Sequence, residues 1–308
     1  MSNGQNMRIV GLKQDDGTVL VGALSSNGVQ VVVFADVEDF WASPHAFVAA
    51  GPTGPTFQVE LVELVPPVVK SARVLCVGLN YLDHVNEGTY RGTQLPEIPT
   101  LFARWPASLS VDGAEIPVPS NEEGLDWEGE VVAWIGTPLV DATAEEALAA
   151  VVGYSTFNDV TARRAQKATS QWIMGKNGDR SGPIGPMVPV AEVGDLRDGL
   201  QIETRVNGEV VQQGNTAQMI YGVGETLAHI SKSFTIHRGD LLATGTPSGV
   251  GYARTPPWFL HPGDVVEVEI ERLGILTNHI VDNTHRRLTA DTASLTSISR
   301  PTGANHGI

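Results

Sequence analysis

Residues 124–136 read GLDWEGEVVAWIG, in which Asp126, Glu128 and Glu130 alternate with Trp127 and Gly129 before an apolar run begins. Successive side chains of an extended chain point to opposite faces, so these three carboxylates share one face. The residues that follow are apolar on both faces, which marks a strand heading into the interior. Carboxylates crowded at a buried strand end need a positive partner, and a hard divalent cation supplies it. A third oxygen ligand is then expected at another strand end, and Asp159 in GYSTFND fits, at the close of an apolar stretch and the opening of a helix. Taken alone, Asp159 would serve as a helix cap. Two glutamates and one aspartate, with no cysteine or evident histidine ligand beside them, favour Mg2+ or Mn2+, with Ca2+ also compatible, over Zn2+.

A second chemical pair lies upstream. In VGLNYLDHVNEG, His84 and Glu87 are three residues apart and meet on one helical turn. A carboxylate beside an imidazole orients it and raises its basicity, which makes a general base for water. Taken alone, the pair would be a surface contact. The Gly- and Pro-rich stretch QWIMGKNGDRSGPIGP carries Lys176, Asp179 and Arg180, and Lys176 offers a cation for an anionic substrate. The turn in ATGTPSGVG presents backbone N–H groups that suit a carboxylate. It is not a phosphate loop, since no Gly-Lys-Ser/Thr follows. GVGETL at 222–227 imitates part of a dinucleotide fingerprint but lies in a helical pattern without a preceding strand.

These groups need a scaffold, and 308 residues suffice for a large domain with or without a small one. The formal charge of −15 argues against nucleic acid and against an anionic membrane surface. Cys76 is the only cysteine, so no intrachain disulfide or thiolate metal cluster forms. MSNGQNMRIV lacks a basic region followed by an apolar run, and no stretch is long enough to span a bilayer, so a soluble cytoplasmic protein is expected. Residues 7–65 read as short strands and turns, with hairpin signals at Asp15-Asp16-Gly17 and Asn27-Gly28. A linker at LVPPVV sets the expected division: a small β-rich domain over 1–69 and a catalytic domain over 70–308. In the latter, RVLCVGLNY and VVGYSTFND read as strands and DVTARRAQKA as a helix. Thr143 and Glu146 form a capping box, and RVNGEVV is a hairpin. In TAQMIYGVGETLAHISKS, Met219, Ile220, Val223, Leu227 and Ile230 recur at helical spacing. Many strands and few helices predict an α+β, mostly β architecture.

Taken in order, GLNYLDHVNE, DWEGEVVAWIG, GYSTFNDVTARRAQ, MGKNGDRSGPIGP and LLATGTPSGVG…FLHPGDVVEVEIERLGILTN resemble the fumarylacetoacetate hydrolase family over roughly residues 66–282. The resemblance implies a rolled mixed β-sheet, a homodimer, and a divalent metal held by Glu128, Glu130 and Asp159. By the same resemblance His84 and Glu87 fall on the family's lid-like segment, and Lys176 matches its loop lysine. Arg163, Gln166 and Thr246 match its substrate contacts, and the motifs bring Tyr81 and Gly245 to the same task. One departure stands out. The lysine loop of the family commonly has aromatic residues where this chain has Gly178 and Ser181, and Arg180 is added, which predicts a more open or more polar pocket wall.

The reaction expected on this basis is metal-assisted hydrolysis of a C–C bond in a 1,3-diketo acid, of the acylpyruvate or 2,4-diketo-3-deoxy acid type. His84, oriented by Glu87, would deprotonate water, and Lys176 would help stabilise the pyruvate-like enolate. A lyase, decarboxylase or keto–enol isomerase acting on a 2-oxo acid is the nearest alternative in the same site. A non-catalytic binding protein is a further reading. A metal-dependent dioxygenase is disfavoured, because no histidine has the H-x-D or H-x-E spacing.

Overall fold

The computed structural model describes residues 7–87 and 97–284. Five strands come first: β1 (Arg8–Lys13), β2 (Val19–Leu24), β3 (Gln30–Asp36), β4 (Thr56–Gln58) and β5 (Glu63–Val65). Helices α1 (Val37–Ala42) and α2 (Pro44–Ala50) lie between β3 and β4. The strands form an antiparallel sheet in the order β4-β3-β2-β1-β5. Its apolar face is not self-contained. Ile9, Val21, Phe40 and Trp41 share one buried cluster with Val74, Val132 and Trp134 of the rest of the chain. Trp41 stacks on Trp134 with ring centroids 5.7 Å apart.

The remaining chain supplies β6 (Val74–Val77), α3 (Leu82–Glu87), β7 (Leu101–Arg104), β8 (Leu109–Ser110), β9 (Glu115–Pro117) and β10 (Gly129–Ile135). Then follow α4 (Ala144–Ala149), β11 (Val151–Asn158), α5 (Arg163–Lys167), α6 (Ile173–Lys176), β12 (Gly182–Pro183), β13 (Val188–Pro189) and α7 (Val190–Val193). The last elements are β14 (Gln201–Val206), β15 (Glu209–Asn215), α8 (Val223–Ser231), β16 (Leu241–Ala243), β17 (Val265–Ile270) and β18 (Gly274–Val281). A mixed sheet runs β13-β11-β10-β16-β6-β7, with β16 parallel to β6, and a second runs β15-β14-β17-β18-β9. Strands dominate and helices are short, so the fold is α+β and mostly β.

β10 is central and buried along its whole length. Its period of two separates the packing: Val131, Ala133 and Ile135 enter one core cluster, and Val132 and Trp134 the other. Gly129, between the two glutamates, has a packing reason. A Cβ there would lie 2.5 Å from Thr204 Oγ1, so glycine lets β14 approach the strand.

Two helix expectations change. Asp159 does not open a helix: Asp126 and Thr161 exchange a β-bridge, and α5 begins only at Arg163. Glu122 then receives the Arg164 and Ala165 amides at 3.0 and 2.7 Å. The helix expected from Met219 onward begins at Val223. Asn80 breaks the pattern, because its side-chain oxygen takes the Tyr221 amide at 2.7 Å and its carbonyl takes that of Ile220. Glu225 accepts from the Gly222 amide at 2.6 Å and starts the helix there. The Thr143–Glu146 capping box and the Asn207-Gly208 hairpin turn form as expected.

Candidate functional site

The antiparallel register of β10 and β11 sets Gly129 opposite Asn158, and the pairing continues one step further. The Asp159 amide donates to the Glu128 carbonyl at 2.9 Å, and Asn158 Oδ1 accepts from the Glu128 amide at 3.0 Å. That register carries Asp159 to the glutamates. One carboxylate oxygen from each of Glu128, Glu130 and Asp159 lies within 4.8 Å of the others, and all three residues are buried.

The donors suit a hard cation, and the electrostatics leave room for one. Burial alone would push Glu128 up, but Lys176 and Arg163 hold its carboxyl down at about 2. Lys176 Nζ lies 2.6 Å from both Glu128 Oε2 and Asp159 Oδ2, and Arg163 Nη2 lies 2.6 Å from Glu128 Oε1. Burial would lower the Lys176 ammonium, yet Asp159 and Glu128 raise it overall. Glu130 is different. Burial, then Asp159 and Glu128, push its carboxyl well above the usual range. Among the described residues it meets no ion-pair partner, only the Gly245 amide at 2.9 Å. An under-compensated buried carboxylate beside two others is what a divalent cation would satisfy. Glu128, Glu130 and Asp159 therefore fit such an ion.

Bordering Glu128, but not Glu130 or Asp159, is a cavity of about 780 Å3, within the roughly 300–1,000 Å3 usual for small-molecule sites. Glu128, His84, Arg163, Gln166, Lys176 and Tyr252 are among its lining residues. His84, on α3, is buried and its Nδ1 lies 2.7 Å from Glu87 Oε1, while Glu87 Oε2 accepts from the Gly249 amide at 2.7 Å. A carboxylate only accepts, so in the neutral form of the ring Nδ1 carries the proton and the lone pair lies on Nε2. Arg163 Nη1 donates to Gln166 Oε1 at 3.0 Å, which locks two residues of α5 together. Lys176 reaches the site because α6 packs tightly on α5: a Cβ on Gly175 would lie 2.4 Å from Gln166 Cβ.

Tyr81, Gly245 and Thr246 do not line this cavity. Tyr81 borders a smaller one of about 240 Å3 with Gln213 and Gln218, and burial and Glu130 push its phenol upward. The Gly245 amide is taken by Glu130. Thr246 Oγ1 donates to the Gly129 carbonyl and accepts from Gln212 Nε2, both at 2.9 Å, so its hydroxyl fastens the turn to β10. The altered lysine loop also differs from expectation. Gly178 and Ser181 do not line the cavity, because Ser181 is turned inward, accepting from Arg104 Nη1 at 3.0 Å and donating to the Gly178 carbonyl at 2.7 Å. Arg180 offers its carbonyl to Ser110 and lies outside the lining as well.

Arg104 and the cavity-lining Lys167 and Tyr252 were not singled out from the sequence, and Asp126 takes a different place from the one its spacing suggests. Arg104 is fully buried, ion-paired through Nε to Asp159, and donates to the Val160 and Ser181 carbonyls at 2.7 and 3.1 Å. An arginine closing an apolar strand gave no sign of this. Asp126, counted with the glutamates, instead accepts from Arg163 Nε and from the Gly251 and Tyr252 amides.

The fumarylacetoacetate (FAA) hydrolase C-terminal domain profile matches residues 73–281. The mitochondrial oxaloacetate tautomerase FAHD2A of Homo sapiens is 39% identical over 223 residues, covering 71% of this chain and 70% of that protein. Oxaloacetate tautomerase YisK of Bacillus subtilis is 39% identical over 230 residues, covering 73% and 75%. The crystal structure of fumarylpyruvate hydrolase from Pseudomonas aeruginosa with Mn2+ and pyruvate superposes with a TM-score of 0.63 at 32% identity, covering 71% of this chain and 92% of that one.

Proposed function

The chain belongs to the fumarylacetoacetate hydrolase family, and from that premise we propose that it is a divalent-cation-dependent keto–enol tautomerase acting on a short 2-oxo dicarboxylic acid of the oxaloacetate kind. The observation that supports this most directly is His84 at the cavity wall with Glu128, its Nδ1 fixed by Glu87. Glu128, Glu130 and Asp159 would hold Mg2+ or Mn2+, which supplies Lewis-acid polarisation of a 2-oxo group when bound. Ketonisation removes one proton from the enol oxygen and delivers one to the adjacent carbon. His84 Nε2 can accept the first and return a proton to the carbon, and Glu87 keeps the ring in one orientation throughout. Lys176 and Arg163 are fixed before reaction, so negative charge developing on the oxygen meets cations that need not reorganise. Arg163 and Gln166 would orient the carboxylate. The homodimer implied by the family resemblance belongs to the same reading.

Hydrolysis of an acylpyruvate is the second reading, favoured by the likeness to the fumarylpyruvate hydrolase structure. His84 would then take its proton from water, and the same cations would stabilise the departing enolate. The deciding experiment follows the ultraviolet absorbance of freshly dissolved enol-oxaloacetate with Mg2+ or Mn2+, against the uncatalysed decay and against His84→Ala. In parallel, acylpyruvates are incubated and the products identified. Faster ketonisation that depends on His84 supports the tautomerase. Acylpyruvate cleavage without it sinks that reading and supports the hydrolase.

A further inference from the structure

Three cations border the main cavity, and two of them are committed. Lys176 is paired with Glu128 and Asp159, and Arg163 with Asp126 and Glu128. The third is Lys167, at the last position of α5, with an exposed side chain. It has no carboxylate partner among the described residues. Its Nζ rests 4.1 Å from the centre of the Tyr252 ring, and the Arg163 guanidinium lies 4.4 Å from the same ring. Partial burial and then Arg163 push the Lys167 pKa down, and the negative charge of an anion beside it would oppose that shift.

Charge balance says what that anion is. With all of them ionised, Glu87, Asp126, Glu128, Glu130 and Asp159 are faced by Arg104, Arg163 and Lys176, which leaves two negative charges. A divalent cation would bring this cluster to neutral, which leaves it no surplus positive charge for a dicarboxylate. A second carboxylate must find its counter-charge elsewhere on the wall, in a protein whose formal charge is −15. We infer that Lys167, held over Tyr252, is the specificity-determining residue that receives the distal carboxylate of a dicarboxylic substrate. Tyr252 acts as a positioning residue: its ring keeps a long, flexible side chain at the cavity wall by a cation–π contact. This inference rests on the 2-oxo acid reading, and it is tested by binding, which needs no turnover.

The probes are L-malate and 2-hydroxybutanoate, which share a 2-hydroxy acid head and differ in the distal carboxylate. Their affinities for the full-length protein are measured by calorimetry with saturating Mg2+. Wild type is expected to favour malate by about tenfold or more. Lys167→Gln should bring the two within about threefold by weakening malate alone, and Lys167→Arg should restore the preference. Tyr252→Leu should erode the preference in part. An unchanged malate preference in Lys167→Gln, or no preference in wild type, overturns the inference even if enol-oxaloacetate is turned over. A Lys167-dependent preference in a protein that does not accelerate ketonisation supports the subsite and removes the tautomerase reading.

Discussion

Asp126 Oδ2 accepts a 2.7 Å hydrogen bond from Arg163 Nε with both side chains buried, and Asp126 Oδ1 takes the Gly251 amide at 2.7 Å. The first carboxylate of the acidic run thus fixes an arginine at the cavity wall instead of joining Glu128, Glu130 and Asp159. Asp126→Ala leaves that guanidinium without one of its two carboxylates and leaves buried amides unpaired. A loss of about 3–5 kcal/mol in unfolding free energy is expected from denaturant titration. Mn2+ affinity in the milder Asp126→Asn should stay within about threefold of wild type, since Asp126 is outside the triad. A folded Asp126→Asn protein that no longer binds Mn2+ would make Asp126 a ligand after all.

His84 and Glu87 should separate catalysis from cation binding. His84→Ala is expected to lower kcat by about 10²–10⁴-fold while leaving Mn2+ affinity near wild type. Glu87→Gln keeps a partner for Nδ1 but no negative charge, so a smaller drop in kcat is expected, of about tenfold. Steady-state kinetics beside Mn2+ titration makes the comparison. Equal losses of affinity and turnover in His84→Ala would assign the imidazole to the metal.

The scaffold of the site was open to sequence reading wherever one local pattern decides it. The period-two alternation from Glu128 through Ile135 gives both the buried strand and the common face of the two glutamates, and the three-residue spacing of His84 and Glu87 gives their contact. Arg104 stayed hidden because its partners, Asp159 and Ser181, are distant in sequence and only the closed sheet brings them together. The start of the helix at Val223 was hidden for the same reason, since it is set by Asn80 holding the Tyr221 amide from 141 residues away. Position on a motif also says nothing of where a polar group is spent. Thr246 and Gly245 lie in the expected turn, yet their hydroxyl and amide are used by β10 and Glu130.

Cation binding should depend on pH through Glu130. Burial, with Asp159 and Glu128, raises its carboxyl pKa in the folded, cation-free protein above the ordinary value of 4.5. The folded state therefore keeps a proton that the unfolded chain has already lost, and its stabilising contribution disappears as pH rises through the folded pKa. A cation must displace that proton, so affinity climbs by up to about tenfold per pH unit below the folded pKa and levels off above it. Mn2+ titrations from pH 5 to 8 should show the climb, and Glu130→Gln should weaken binding and flatten it. Chelation of the wild type should abolish turnover and, at the upper end of this range, reduce stability. A flat profile in wild type would remove Glu130 from the ligand set.

Arg104 raises a question of sign that one variant answers. Its guanidinium is a positive charge against Asp159, which by Coulomb repulsion opposes an incoming cation. It also fixes Asp159 from behind, anchored by the Val160 and Ser181 carbonyls and by Ser108 and Ser181 hydroxyls. Partners that orient a ligating carboxylate are typically worth about 10–100-fold in metal affinity. In Arg104→Met, Lys176 remains 2.6 Å from Asp159 Oδ2, so the lost repulsion is only part of the positive field while the lost anchoring is whole. Orientation should therefore win: Mn2+ binding is expected to weaken by about tenfold or more, with about 3–5 kcal/mol lost from stability because a buried carboxylate loses a paired charge. Arg104→Lys keeps the charge without the fork and should recover stability better than affinity. Tighter Mn2+ binding by a folded Arg104→Met protein would show that repulsion, not positioning, is what Arg104 contributes.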